Sequence, residues 1–211
     1  MTALLDLDGP ILDVSPRHHR VYADGVSRLG GEPMDIGTYW AAKRDKISDH
    51  EILNRSGLPA ASDAYQVIKR ETIEAADYLS LDRLQPGTWE ILHCLAEKHS
   101  LVLVTLRHSR RRLLRQLAML KIAKLFTHVL SAPAGAVPGW QVKRDLVMGA
   151  GVALGPGAFI AGDTETEIRA GRALAVSTVA VCNGIRDERH LRPLAPDWLV
   201  PTLTDLPASF L

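Results

Sequence analysis

Cysteine is nearly missing from this chain: 211 residues carry two, Cys94 and Cys182. Two thiols cannot build the multi-bridge framework of a small secreted domain. Both lie in apolar stretches, 91–95 and 179–182, which predicts buried thiols in a reducing compartment. Aromatic residues are scarce at 5%, and none interleaves with the basic run from Arg107 to Arg115 as a nucleic-acid-binding surface requires. Neither sign of charge dominates: 25 Lys and Arg face 24 Asp and Glu, a net +1, which supplies no global field for nucleic acid or a membrane surface. Long hydrophobic runs are absent as well. Asp6 and Asp8 interrupt the N-terminal apolar stretch, so no signal peptide is expected there, and no uncharged stretch approaches the length of a membrane span. The expected address is cytoplasmic, with the chain working as a monomer or homodimer. What remains, 46% hydrophobic and 23% charged residues, suffices for one sizeable domain or a core with a smaller insert.

The order of elements separates these two parts. Residues 2–7 form a short apolar run ending in Asp-Leu-Asp-Gly-Pro, a strand leading into a turn. Ser15-Pro16 then predicts a helix start, with the Ser15 hydroxyl as cap, and Gly30-Gly31 a stop. Ser48-Asp49-His50-Glu51 is a capping box, with Gly57 closing that helix. A longer helix is predicted from about Asp63, with Tyr65, Ile68, Thr72, Ala76 and Leu79 on one face. Beyond Pro86-Gly87 the pattern changes to alternating strands and helices. Strands are predicted at 101–105, 129–131, 158–162, 178–182 and 198–200, with helices at 109–120, 141–152 and 165–175 between them. Apolar runs of this length suit parallel strands covered on both faces. The expected fold is α/β: a doubly wound, mostly parallel sheet formed by residues 1–13 and 82–211, with an all-helical insertion, residues 14–81.

In such a sheet ligands bind at the carboxyl ends of the strands, and polar residues collect there. Asp6 and Asp8 follow the first strand, Thr105 ends the second, and Asp163 follows the fourth. Lys143 is placed in the first turn of the helix before that fourth strand. Two aspartates spaced by one residue can point the same way from an extended segment, and Gly9 permits the sharp turn beyond them. Carboxylates converging on one spot repel one another unless a cation joins them, and all-oxygen ligands favour magnesium. Asp163 and Glu167, four apart at a helix start, can both face that ion. A lysine and a threonine hydroxyl nearby complement a dianionic phosphoryl group.

These residues resemble the haloacid dehalogenase-like hydrolase superfamily. Residues 6–13, Asp-Leu-Asp-Gly-Pro-Ile-Leu-Asp, are similar to its first motif, Thr105 to the second, Lys143 to the third and residues 162–171 to the fourth. The helical cap and the closing segment 197–206 resemble those of phosphoglycolate phosphatase-like members. The resemblance implies a phosphatase in which Asp6 attacks phosphorus to give an aspartyl-phosphate. Asp8 would be general acid and base, and Thr105 and Lys143 would bind the phosphoryl oxygens. Asp6, the backbone carbonyl of Asp8, Asp163 and Glu167 would attend the magnesium ion. Three positions depart from the family pattern: Pro10 replaces a usual threonine, Glu167 a usual aspartate, and Leu106 a usual asparagine or glycine. Dehalogenating members lack the second aspartate, so Asp8 favours phosphate chemistry. A phosphomutase or phosphotransferase of the same fold is an alternative.

Substrate choice falls to the cap in such enzymes. Gly9, Arg107, Lys43 and Arg44 are candidate substrate-binding residues, the last two placed between cap helices with Lys46. The run Arg107, His108, Arg110, Arg111, Arg112 and Arg115 crowds cations at a helix N-terminus, where the macrodipole disfavours them. It supports either a substrate with a second anionic group or a docking surface on a catalytically weak binding protein. The expected partner is a small phosphorylated metabolite, with no nucleic acid and no membrane. His18 and His19 read as a surface pair, His93 as a packed residue and His99 as an exposed one, and no zinc spacing occurs.

Overall fold

A strand apolar on both faces belongs in the middle of a parallel sheet, and β1 (Thr2–Leu5) is buried at every residue. In the computed structural model, which describes residues 1–133 and 135–211, β1 pairs in parallel with β4 (Ser100–Thr105) on one side and β6 (Phe159–Gly162) on the other. The six-stranded sheet continues outward through β5 (Phe126–Ser131) beyond β4, and through β7 (Ser177–Val181) and β8 (Trp198–Val200) beyond β6, in the order β5-β4-β1-β6-β7-β8. The chain therefore winds away from β1 in one direction and returns to wind away in the other. The reversal lies between β1 and β6, where a doubly wound sheet opens its ligand crevice at the strands' carboxyl ends.

Helices flank this sheet: α6 (Thr88–Lys98), α7 (Arg110–Met119), α8 (Gly139–Gly149), α9 (Glu165–Leu174) and the short α10 (Glu188–Leu191). Leu4, Val102, Val104 and Ile160 on the central strands share one buried cluster with Val147 of α8 and Ala170 of α9. Truncating such a side chain to alanine costs about 2–5 kcal/mol, and this packing fixes α8 and α9 against the central strands. Two small strands, β2 (Leu12–Asp13) and β3 (Arg83–Leu84), form a separate ribbon.

The chain separates into two units, residues 1–13 with 84–211, and residues 14–83. The second is all helical: α1 (Ser15–Arg28), α2 (Ile36–Arg44), α3 (Asp49–Arg55), α4 (Ser62–Thr72) and α5 (Ala76–Leu79). Its core gathers Tyr22, Val26, Tyr39, Ile52, Leu53 and Tyr65. Tyr22 and Tyr39 stack with ring centroids 4.4 Å apart, and the Tyr22 hydroxyl accepts from the Met34 amide at 2.9 Å. Arg17 and Asp82, close to the two ends of the unit, form a fully buried ion pair at 2.9 Å. Among the described residues no helix is long and apolar enough to cross a membrane.

Several local expectations change. Ser15 is the first helical residue and does not cap: Val14 holds the cap position, without a side-chain hydrogen bond. Ser48 does cap α3 by accepting from the Glu51 amide, but Glu51 turns to Arg55 and does not close the box. The long helix from Asp63 is two, α4 and α5. Thr72 folds its hydroxyl back onto the Ile68 carbonyl at 2.7 Å, a bond that competes with the helix ladder. Lys43 and Arg44 lie in the last turn of α2, not between helices. Lys143 lies in the second turn of α8, which begins and ends earlier than expected. His99 is buried, with Nε2 2.8 Å from the Phe210 carbonyl oxygen. Neither cysteine is in a disulfide, and both are half-buried where buried thiols were expected.

Candidate active site and metal centre

Four side chains meet where β1 and β6 end. Asp6 directly follows β1, and its amide donates to the Ala161 carbonyl at 3.0 Å, extending the β1–β6 pairing to the edge of the sheet. Asp163 directly follows β6 and is fully buried. Lys143 arrives from α8, buried to 1% exposure. Its ammonium lies 2.7 Å from Asp6 Oδ1 and 2.6 Å from Glu167 Oε1. Glu167 is held in turn by the capping box of α9: its Oε2 accepts from the Thr164 amide at 3.1 Å and hydroxyl at 2.7 Å. The longer glutamate arm thus reaches two tasks, capping its helix and pairing with the lysine.

Oxygens of Asp6, Asp163 and Glu167 all come within 4.8 Å of one another. Three carboxylates crowd against one ammonium, so the cluster carries excess negative charge in a dry place. Burial, with Glu167 and Asp8 adding repulsion against the pull of Lys143, pushes the Asp6 carboxyl up to about 7. Burial and the Asp6 and Glu167 charges raise Asp163 well above the usual carboxylate range. Burial alone would lower the Lys143 ammonium, but the Asp6 and Glu167 carboxylates outweigh it and hold it above its usual value. A divalent cation would relieve this repulsion. Asp163 supports that reading atom by atom: Oδ2 accepts from the Ile185 amide, while Oδ1 is buried without a hydrogen-bond partner. Such an oxygen is costly unless something binds it. The donor set, carboxylates only, suits magnesium.

Backbone without side chains surrounds Asp163. A Cβ on Gly9, whose φ is +111°, would lie 2.1 Å from Asp163 Oδ2, and one on Gly184 would lie 2.0 Å from the same atom. Only glycine fits on either side. The Gly9 carbonyl accepts from Gln85 Nε2 at 3.0 Å, which fixes the turn after Asp8. Pro10 falls within that turn, whose closing bonds come from the Gly9, Ile11 and Leu12 amides, so its missing N–H costs no contact in the turn.

Asp8 points to a different partner. Arg107, two residues beyond the end of β4, donates from Nε to Asp8 Oδ2 at 2.7 Å and from Nη2 to Oδ1 at 2.6 Å. Thr105 ends β4 and is buried beside this edge, paired in register with Ser131. Leu106 faces Gly139 at the start of α8, where a Cβ would come within 2.8 Å of its Cδ1. Lys43 and Arg44 belong to the other unit, where Lys43 pairs with Asp49 at 2.9 Å and Asp49 also meets Lys69 at 2.7 Å. Sequence reasoning singled out neither Gly184 nor the Ile185 amide. The turn signal Asn183-Gly184 directly after β7, beside β6, was the available clue.

No protein-family profile matches the chain. A phosphoglycolate phosphatase of Synechococcus elongatus is 25% identical over 203 residues, covering 96% of this chain and 93% of that protein. Among solved structures, a haloacid dehalogenase-like family hydrolase from Streptococcus pneumoniae superposes with a TM-score of 0.75 at 20% identity, over 100% of this chain and 99% of that one. A subfamily IA member of the same superfamily from Geobacter sulfurreducens gives 0.64 at 17% identity, over 92% and 97%. The structural matches establish the shared fold, and the sequence match spans core and insertion together. By fold, by the order of its strand-end residues and by the position of its helical insertion, the chain is similar to the haloacid dehalogenase-like hydrolases, and along its sequence to a phosphoglycolate phosphatase.

Proposed function

We propose that this chain is a magnesium-dependent phosphatase for small phosphate monoesters, with Asp6 as its nucleophile. The observation that carries the reading is Asp6 held against buried Lys143 at the sheet's reversal point, beside Asp163 with one unpaired buried oxygen. Asp6 Oδ attacks phosphorus as the bond from phosphorus to the ester oxygen breaks, and Asp8 gives that oxygen a proton. Water then attacks the phosphorus of the aspartyl-phosphate, Asp8 takes its proton, and inorganic phosphate leaves with Asp6 restored. Lys143 offsets charge on Asp6 and on the phosphoryl oxygens, and the Thr105 hydroxyl donates to one of them. Asp6, the Asp8 carbonyl and Asp163 would hold magnesium, with Glu167 bracing Lys143 beside it. Bound there, the ion would neutralise phosphoryl charge and keep Asp6 ionised. The Synechococcus relative makes phosphoglycolate the first ester to try.

The test is steady-state hydrolysis of phosphoglycolate and of an aryl phosphate by the wild type and by Asp6→Asn, with and without magnesium. Turnover that needs the metal and falls about a thousandfold or more in the variant is the expected result. Turnover that survives Asp6→Asn, or that proceeds fully in chelator, contradicts it.

A further inference from the structure

Of the six basic residues that follow β4, five (His108, Arg110, Arg111, Arg112 and Arg115) are exposed, while Arg107 is 4% exposed. A guanidinium withdrawn from water needs a partner that satisfies its donors, and Arg107 has one in Asp8. Its Nε and Nη2 take one carboxylate oxygen each, at 2.7 Å and 2.6 Å. This side-on fork fixes the plane and direction of the carboxyl as well as its charge, which an ammonium could not do. The Asp8 side chain is 27% exposed against 5% for Arg107. The carboxyl therefore keeps more contact with solvent than the arginine that holds it.

We propose that Arg107 is a positioning residue that acts through Asp8. It aims the carboxyl that hands a proton to the leaving ester oxygen and later takes one from the attacking water. The edge of Arg107 best suited to a second anionic group of the substrate is already committed to Asp8, so recognition of such a group falls to other residues. The proposal rests on the phosphatase reading above.

The experiment measures kcat and KM for an aryl phosphate with saturating magnesium. The proteins are wild type, Arg107→Ala, Arg107→Lys, Asp8→Asn, the Asp8→Asn/Arg107→Ala double variant, and Arg115→Ala as the control for lost surface charge. A misaimed proton-transfer group lowers kcat about a hundredfold in Arg107→Ala, with KM within about threefold of wild type. Arg107→Lys, which keeps charge and bulk but not the fork, recovers less than about a tenth of the loss. It carries the test alone if the alanine variant does not fold. In the Asp8→Asn background, removing Arg107 changes kcat by less than about threefold, because the group it serves is gone. A raised KM with kcat intact makes Arg107 a substrate ligand and overturns the proposal. Additive losses in the double variant overturn it as well, because Arg107 then acts on something other than Asp8. A wild type without turnover overturns the phosphatase reading and this proposal together, which separates that failure from the other two.

Discussion

Asp163 shows how far a site's geometry depends on what its neighbours lack. Two glycine backbones and one amide press on its carboxyl, and the Cβ of any other residue at position 184 would lie 2.0 Å from Asp163 Oδ2. Gly184→Ala must therefore displace the carboxylate. A shifted ligand or its support typically costs about 10- to 100-fold in metal affinity, and we expect that loss in a magnesium titration followed by calorimetry. Unchanged affinity would remove Asp163 from the metal set. At this scale the sequence was informative where residues end or directly follow strands, as Asp6, Thr105 and Asp163 do, and less so for Lys143, which lies one turn further into its helix than expected. The Asp8–Arg107 fork could not be placed from pattern, since its partners are 99 residues apart and Arg107 looks in sequence like its exposed neighbours. The departures at Pro10 and Glu167 became intelligible only with contacts in hand. Pro10 sits in a turn closed by its neighbours' amides, and Glu167 spans from Lys143 to the start of its own helix.

Elements were legible in proportion to how strongly burial dictates their composition. The run Leu101 to Val104 must be apolar because β4 is covered on both faces, so it could not be mistaken. Helix α2 escaped notice because its buried residues are only Tyr39 and Ala42, too few to mark a periodic face. The break between α4 and α5 carries no glycine or proline, and the Thr72 hydroxyl that competes with the ladder is a tertiary choice. Within the helical unit, the pair between Arg17 on α1 and Asp82 near its end has side chains 1% and 0% exposed. Asp82→Asn keeps the shape but removes the carboxylate charge from this buried pair. Breaking a buried pair this way costs about 3–5 kcal/mol, which denaturant unfolding of the whole chain should register. A loss below about 1 kcal/mol would mean that the pair contributes little, as surface pairs do.

For the molecule as a whole, charge is balanced, 25 Lys and Arg against 24 Asp and Glu, so the pH dependence of stability is set by a few buried groups. In the metal-free protein the fold favours the protonated forms of Asp6, raised from 3.8 to about 7, and of Asp163, also raised. The Asp6 contribution is complete below the unfolded value of 3.8 and is lost as pH rises through about 7, and that of Asp163 has the same sign. The lowered carboxylates Asp35, Asp49, Glu51, Asp187 and Asp197 act oppositely. Theirs is lost only as pH falls below about 4, so they add no slope between about pH 5 and 7. The metal-free melting temperature should drop by several degrees, about 2–8 °C, across that window. Stabilisation by magnesium should grow over the same range, as protons stop competing for the same oxygens. A flat profile in both would show that the acidic cluster does not bind the ion. That Asp6 becomes phosphorylated is tested most directly in Asp8→Asn, mixed with an aryl phosphate and magnesium, quenched in acid and read by mass spectrometry. An aryl leaving group departs without a proton donor, whereas attack by water needs the missing base, so the covalent state accumulates. The expected result is a peptide carrying Asp6 that is heavier by one phosphoryl group. A wild type that turns over while no phosphoryl group appears on Asp6, or while one appears on another residue, would contradict it.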